Sequence, residues 1–141
     1  MSTSKIIKVN ATRSTNDKVK MLIKSKKILS GDIIVAKYQY KGRGQLMNKW
    51  HSSYGKNLLC SILYKPLDVN IDRTFCINQA VSLAVLKTIR KFSNQTSLIK
   101  WPNDILSVNK KIAGILIENS LNSNKITHSI IGIGININQV F

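Results

Sequence analysis

The stretch of this chain with the most chemical potential is Gln39 to Trp50, where Gly42-Arg43-Gly44 sets one guanidinium between two glycines. Glycine lets backbone N–H groups approach a ligand closely, and a guanidinium offers a planar fork matched to carboxylate or phosphate oxygens. Of 22 basic residues only Arg13, Arg43, Arg73 and Arg90 are arginine, so arginine here is a choice more than a drift of composition. By itself Gly-Arg-Gly reads as a charged surface turn more readily than as a site. Its weight comes from four other blocks: Ser14-Thr15-Asn16, Lys100-Trp101-Pro102-Asn103-Asp104, Lys111-Ile112-Ala113-Gly114-Ile115-Leu116-Ile117-Glu118, and Gly132-Ile133-Gly134-Ile135-Asn136.

The elements that must position these blocks follow from the apolar pattern. Ile6 to Val9 reads as a first strand, and Ser14 caps a helix running to Lys27, with Asp17 at the third position of a capping-box pattern. Asp32 to Gln39 is a largely buried strand that delivers the chain into the glycine loop, Asn57 to Tyr64 is the next strand, and Ile71 to Phe92 has the spacing of a long amphipathic helix. Strands then follow at Leu98 to Trp101, Ile105 to Val108, Ile112 to Glu118 and Thr127 to Asn138, separated by turn-forming residues, so antiparallel neighbours are expected. The fold class is α+β: a mixed, largely antiparallel sheet with two main helices on one face. Trp50 and Trp101 are read as core packing, with Trp50 also able to cover a closed loop. A glycine-interrupted strand at Gly132 and Gly134 signals close approach of a ligand or another backbone.

Taken in order, the blocks closely resemble the catalytic domain of biotin protein ligases, across essentially all 141 residues. The resemblance implies the biotin/lipoate ligase fold, related to class II aminoacyl-tRNA synthetase catalytic domains. It implies that biotin's carboxylate attacks the α-phosphate of ATP, escorted by Mg2+, to give biotinyl-5′-AMP, and that a lysine of a biotin carboxyl carrier protein of acetyl-CoA carboxylase or a related carboxylase then takes the biotinyl group. Carried onto this sequence, Arg43 and Lys111 are the catalytic cations. Ser14, Thr15, Asn16, Gln39, Gly42, Gly44, Gln45, Gly132 and Gly134 join them in binding biotin and its adenylate, and Asn103, Asp104 and Asn136 support ATP or its metal. No metal ligand set is assigned. Each block also has a plainer reading: Ser14 as a helix cap, Pro-Asn-Asp as a tight turn, and Lys111 as a solvated lysine beside an equivalent Lys110. Register separates the two lysines, since Lys110 should face the other side of the strand.

This sequence departs from the family loop G-R-G-R-x-G-R, for Gln45, Leu46, Met47 and Asn48 replace its later arginines and glycine. The expectation is a weaker electrostatic grip on the adenylate, with more reliance on packing by Leu46 and Met47. Family members usually continue past the Gly132 strand with more catalytic domain and an SH3-like barrel. The resemblance therefore implies a C-terminally incomplete catalytic domain with no SH3-like domain, and no N-terminal DNA-binding domain.

Composition sets the outer limits. A chain of 141 residues with 43% hydrophobic content supports one domain with one sizeable core. Cys60 and Cys76 have neither metal-ligand nor disulfide-framework spacing and read as buried free thiols of a reducing cytosol. No segment reaches the ~18 apolar residues of a membrane span, so a soluble cytoplasmic protein without a membrane partner is expected. A net charge of +16, with five Asp and one Glu, keeps a basic nucleic-acid-binding module open as an alternative. The lysines are dispersed and no nucleic-acid-binding motif accompanies them, so no specific nucleic-acid partner is expected. A degenerate ligase that binds biotin without catalysis and a lipoate or octanoate transferase are the nearer alternatives.

Overall fold

The apolar run Ile130 to Ile135 can be satisfied only where both faces of a strand are covered. In the computed structural model, which describes residues 3–139, it lies in the central strand of a seven-stranded sheet. The strands are β1 (Ile6–Thr12), β2 (Ile33–Gln39), β3 (Asn57–Tyr64), β4 (Ser97–Lys100), β5 (Asp104–Ser107), β6 (Lys110–Asn122) and β7 (Lys125–Asn136). Their order across the sheet is β1-β2-β3-β7-β6-β5-β4. β1 and β2 are parallel and every other pair is antiparallel, so the mixed, largely antiparallel α+β arrangement expected from sequence is the observed one. Helix α1 (Thr15–Lys24) makes the crossover from β1 to β2, and α2 (Thr74–Phe92) joins β3 to β4.

The ends of α1 have local causes. Ser14 Oγ accepts the backbone N–H of Asp17 at 3.0 Å, the expected cap. The helix closes at Lys24, three residues earlier than expected, because Lys26 adopts φ 55° and turns the chain toward β2. Asp32 holds that return: its carboxylate accepts the N–H groups of Leu29 and Lys5, each at 2.9 Å.

The expectation of both helices on one face is corrected by the alternation of β7. On one side of the sheet Val19 of α1 packs with Ile34, Leu63 and Ile130. On the other, Val85, Leu86 and Ile89 of α2 pack with Ile105, Ala113, Ile115 and Ile135. Ile130 and Ile135 differ by an odd number of residues in a strand of continuous register against β3, so they point to opposite faces. Helical periodicity reveals that a helix has a buried side and carries no information on which face of a sheet receives it. Two further expectations of burial fail: Trp101 is 73% exposed, and Cys76 is exposed where Cys60 is buried. Burial pushes the Cys60 thiol up to about 11.

A bulge in β6 reorients one charged side chain. β5 and β6 pair Ile105 with Ala113 and then Leu106 with Lys111, which leaves Ile112 as an extra residue on β6. Simple alternation would put Lys111 on the α2 face with Ala113 and Ile115. The bulge turns it to the opposite face, beside Gly114.

Ile115 is 2% exposed at the centre of the α2-side core, and Ile137 is 60% exposed. Ile115→Ala should lower unfolding stability by roughly 2–5 kcal/mol, and Ile137→Ala by less than about 0.5 kcal/mol. Urea midpoints with an unchanged slope would check both values.

Candidate active site

The α1 face of the sheet is interrupted by polar side chains that an apolar core would not accept unpaired, and they satisfy one another. Ser14, Thr15 and Asn16 at the start of α1 are each at most 4% exposed, and Ser61 on β3 is fully buried beneath them. Gln39 Oε1 accepts both the backbone N–H of Thr15 at 2.6 Å and its hydroxyl at 3.0 Å. The Ser61 hydroxyl lies 2.5 Å from Asn16 Oδ1 and 2.7 Å from Thr15 Oγ1. Asn16 Nδ2 donates to Glu118 Oε2 at 2.8 Å and to the Leu116 carbonyl at 3.3 Å. A Cβ on Gly132 would collide with Asn16 Oδ1, so glycine there is what lets the asparagine lie on the sheet.

Beyond this cluster the floor is flat. Gly114 pairs with Gly134, and the Trp50 indole lies across both. A Cβ at Gly134 would come within 2.6 Å of the ring, and one at Gly114 within 2.8 Å. The Trp50 Nε1–H is buried and has no acceptor among the described residues. Lys111 Nζ sits 5.6 Å from the ring centroid and pairs with Asp104 at 2.7 Å. Together these groups line a cleft of about 290 Å3, neutral and polar at the α1 end and cationic at the Lys111 end.

The glycine loop roofs the cleft. It is a small hairpin: Gly44 N–H donates to the Asn48 carbonyl at 2.7 Å, and Trp50 N–H to the Gly42 carbonyl at 3.0 Å. Gly42 has no room for a side chain because a Cβ would strike the Trp50 carbonyl. Arg43 turns inward. Its guanidinium meets Glu118 twice at 3.1 Å and Asp17 at 2.7 Å. Burial alone would push the Glu118 carboxyl up, but hydrogen bonds from Lys20, Arg43 and Asn16 hold it below its ordinary value. Burial opposes the charge of Arg43 as well, and Glu118 followed by Asp17 overcomes it, raising the guanidinium's pKa. At the loop tip Leu46 and Met47 adopt φ 50° and 63° and are 94% and 99% exposed.

Of the residues singled out in the sequence, Ser14, Thr15, Asn16, Gln39, Arg43, Gly44, Gln45, Asn103, Asp104, Lys111, Gly132 and Gly134 line this cleft. Gly42 lies behind it at the loop base, and Asn136, on the same face of β7 as Gly132 and Gly134, is outside the cleft lining and donates to the Lys111 carbonyl at 3.3 Å. Asn103 is spent on architecture: its Nδ2 donates to the Ile115 carbonyl at 2.8 Å, and its own carbonyl accepts the Ile115 N–H at 3.0 Å. Lys110 pairs with Ser107 and lies outside the cleft. Sequence reasoning missed Ser61 and the role of Glu118. Each left a trace, a lone hydroxyl within the apolar run Leu58 to Leu63 and the single glutamate of the chain.

Residues 9–136 match the model of the biotin/lipoate A/B protein ligase family. The bifunctional ligase/repressor BirA of Bacillus subtilis is 38% identical over 109 residues, covering 77% of this chain and 33% of that protein. The biotin–[acetyl-CoA-carboxylase] ligase of Mycobacterium tuberculosis is 29% identical over 135 residues, covering 93% of this chain and 48% of that protein. Among solved structures, the biotin protein ligase of Aquifex aeolicus in complex with biotin and ATP aligns with a TM-score of 0.78 at 29% identity, over 99% of this chain and 55% of that one. That of Leishmania major in complex with biotin aligns with a TM-score of 0.79 at 25% identity, over 96% and 57%. The chain thus spans from a third to a little over half the length of these relatives.

Two outcomes follow from the packing and charge of the site. Gly134→Ala should expel the indole from its floor, giving a red-shifted Trp50 emission in a Trp101→Phe background at a stability cost of about 1–3 kcal/mol. Because the folded pKa of Glu118 is depressed, the stabilisation it provides is present above the unfolded value of 4.5 and is lost as pH falls below it. Acid titration should therefore unfold the parent at a higher pH than Glu118→Gln relative to each protein's neutral stability.

Proposed function

Because the chain belongs to the biotin/lipoate A/B protein ligase family, we propose that it is the adenylate-forming core of an ATP-dependent biotin protein ligase. The carrying observation is the division of one cleft into a neutral hydrogen-bonding end at Ser14 to Asn16 and Gln39 and a cationic end at Lys111, joined by the flat glycine floor. That division suits biotin, whose ureido group needs neutral partners, whose ring and chain need an apolar slot, and whose carboxylate needs a cation. Gln39 Oε1 is committed to Thr15, and its Nε2 remains a donor for the ureido oxygen.

The chemistry asked of the site is to bring two anions together. A carboxylate and a phosphate oxygen at 4 Å repel by roughly 4 kcal/mol at an effective dielectric of 20, which a fixed cation between them offsets. On this reading that role falls to Lys111, which lines the cleft. A biotin carboxylate oxygen attacks the α-phosphorus, the bond to pyrophosphate breaks, and biotinyl-5′-AMP forms. In the second step the uncharged amine of a carrier lysine attacks the acyl carbon and AMP leaves. Mg2+ usually binds through one or two carboxylates and substrate phosphates, a donor set that Asp104 and ATP can supply, and it would neutralise phosphate charge there. Among the described residues no group of three metal-ligating side chains competes with that arrangement. The acceptor is a lysine of a biotin carboxyl carrier protein of acetyl-CoA carboxylase or a related carboxylase, in the cytoplasm. Two free cysteines suit that compartment, and no described helix is long and apolar enough to cross a membrane.

Incubation with biotin and MgATP followed by mass spectrometry should detect biotinyl-AMP. Lys111→Ala should reduce it by about 100-fold or more, and Lys110→Ala by less than about twofold, given that a displaced transition-state cation costs several kcal/mol. Equal losses in both variants would remove Lys111 from its role. Biotin binding without intermediate would leave a degenerate binder, and steeply salt-dependent binding of DNA or RNA in place of biotin would favour the nucleic-acid module.

A further inference from the structure

Arg43 is the cation that loop chemistry would assign to a bound anion, yet in this fold its charge is already answered. Three hydrogen bonds take its guanidinium to two carboxylates on two different elements, Glu118 on β6 and Asp17 on α1. Glu118 is the hub. Besides the two-pronged contact with Arg43 it accepts Lys20 Nζ at 2.7 Å and Asn16 Nδ2 at 2.8 Å, so one carboxylate receives donors from the loop and from α1. Asp17 is shared between Arg43 and Arg13, the latter at 3.5 Å. An arginine held by two carboxylates has its N–H donors committed and must break those bonds to meet a third anion, and withdrawing it would leave the half-buried Glu118 with fewer partners.

We infer that Arg43 and Glu118 are a pair of positioning residues: the guanidinium rivets the base of the glycine loop to β6 and α1, and the same carboxylate orients Asn16, so that the roof and the neutral end of the cleft are set by one ion pair, while the ligand's charge is left to Lys111, which has one carboxylate partner, Asp104, to Arg43's two. The assignment of ligand charge rests on the biotin-ligase reading; the rivet itself does not. The rivet divides the loop. Arg43 and Lys49 form the last bridge of its hairpin, and beyond them Leu46 and Met47 stand in solvent. Only that tip is left to adjust to a ligand.

The test uses the ligand-free chain first. Hydrogen exchange at the Gly44 and Trp50 amides reports the two hairpin hydrogen bonds directly. Arg43→Gln and Glu118→Gln should each accelerate exchange at both amides by roughly tenfold, with exchange in β7 unchanged, and the double variant should be no faster than the faster single one, since two partners in one contact are non-additive. Asp17→Asn, which removes one bond of the three, should give a smaller acceleration and keeps the test available if a Glu118 variant fails to fold. With MgATP and biotin present, Arg43→Gln and Glu118→Gln should weaken biotin binding by similar factors. The inference is overturned if Arg43→Gln leaves both amides protected, or if Arg43→Gln weakens MgATP binding while Glu118→Gln strengthens it, the pattern of an anion-binding arginine released from a competitor. Parent protein that binds neither ligand would refute the functional reading and leave the exchange result to decide the rivet.

Discussion

The pairing of β6 with β7 is the constraint on which the rest of the cleft depends. Its register sets Gly114 opposite Gly134 and Leu116 opposite Gly132, so three glycines make one flat strip along the α1 face. An indole and an asparagine side chain then lie directly on backbone, at distances no Cβ would permit. A shift of one residue would exchange glycines for isoleucines on that face and close the cleft. The bulge at Ile112 adds a cation to this floor by reversing the direction of Lys111 at the strand's beginning. A flat floor that carries an indole, and a cation at its end, thus come from a single strand pair.

Charge is distributed with equal economy. In a chain of net charge +16, three of its six acidic residues line or brace the cleft, where Asp17 and Glu118 hold Arg43 and Asp104 holds Lys111. Exposed pairs of this kind contribute little to stability. Their effect here is geometric, since a long side chain bonded at both prongs cannot sweep through the cleft. The same balance explains why overall basicity is a poor guide to this protein: the surface lysines are dispersed, and at the site Arg43 and Lys111 are each held by carboxylates.

Much of this was legible in the residues. Strand and helix existence, the cap at Ser14, and the placement of the glycine loop at a strand end followed from local pattern, and a resemblance carried by short blocks pointed to twelve residues that line one cleft. The failures have a common physical form. Helix α2 lies on the face opposite α1, Trp101 stands in solvent, and Cys76 is exposed, because each depends on what a surface meets across space. Asn103 could be read as a turn residue or a ligand contact, and only the two bonds to Ile115 show how its amide is used.

What the sequence alone determined is the set of parts: hydrophobic period chose strands and helices, glycine and proline placed the breaks, and residue type limited the chemistry to anion and neutral polar recognition. Tertiary structure decided direction and partnership. Lys111 faces the cleft because of one extra residue in β6, Arg43 faces two carboxylates because β6 and α1 converge beside the loop, and Ser61 joins the site because β3 lies under α1. These are contacts between residues up to 75 positions apart. Local pattern specifies which side chains must be satisfied, and packing alone specifies by what.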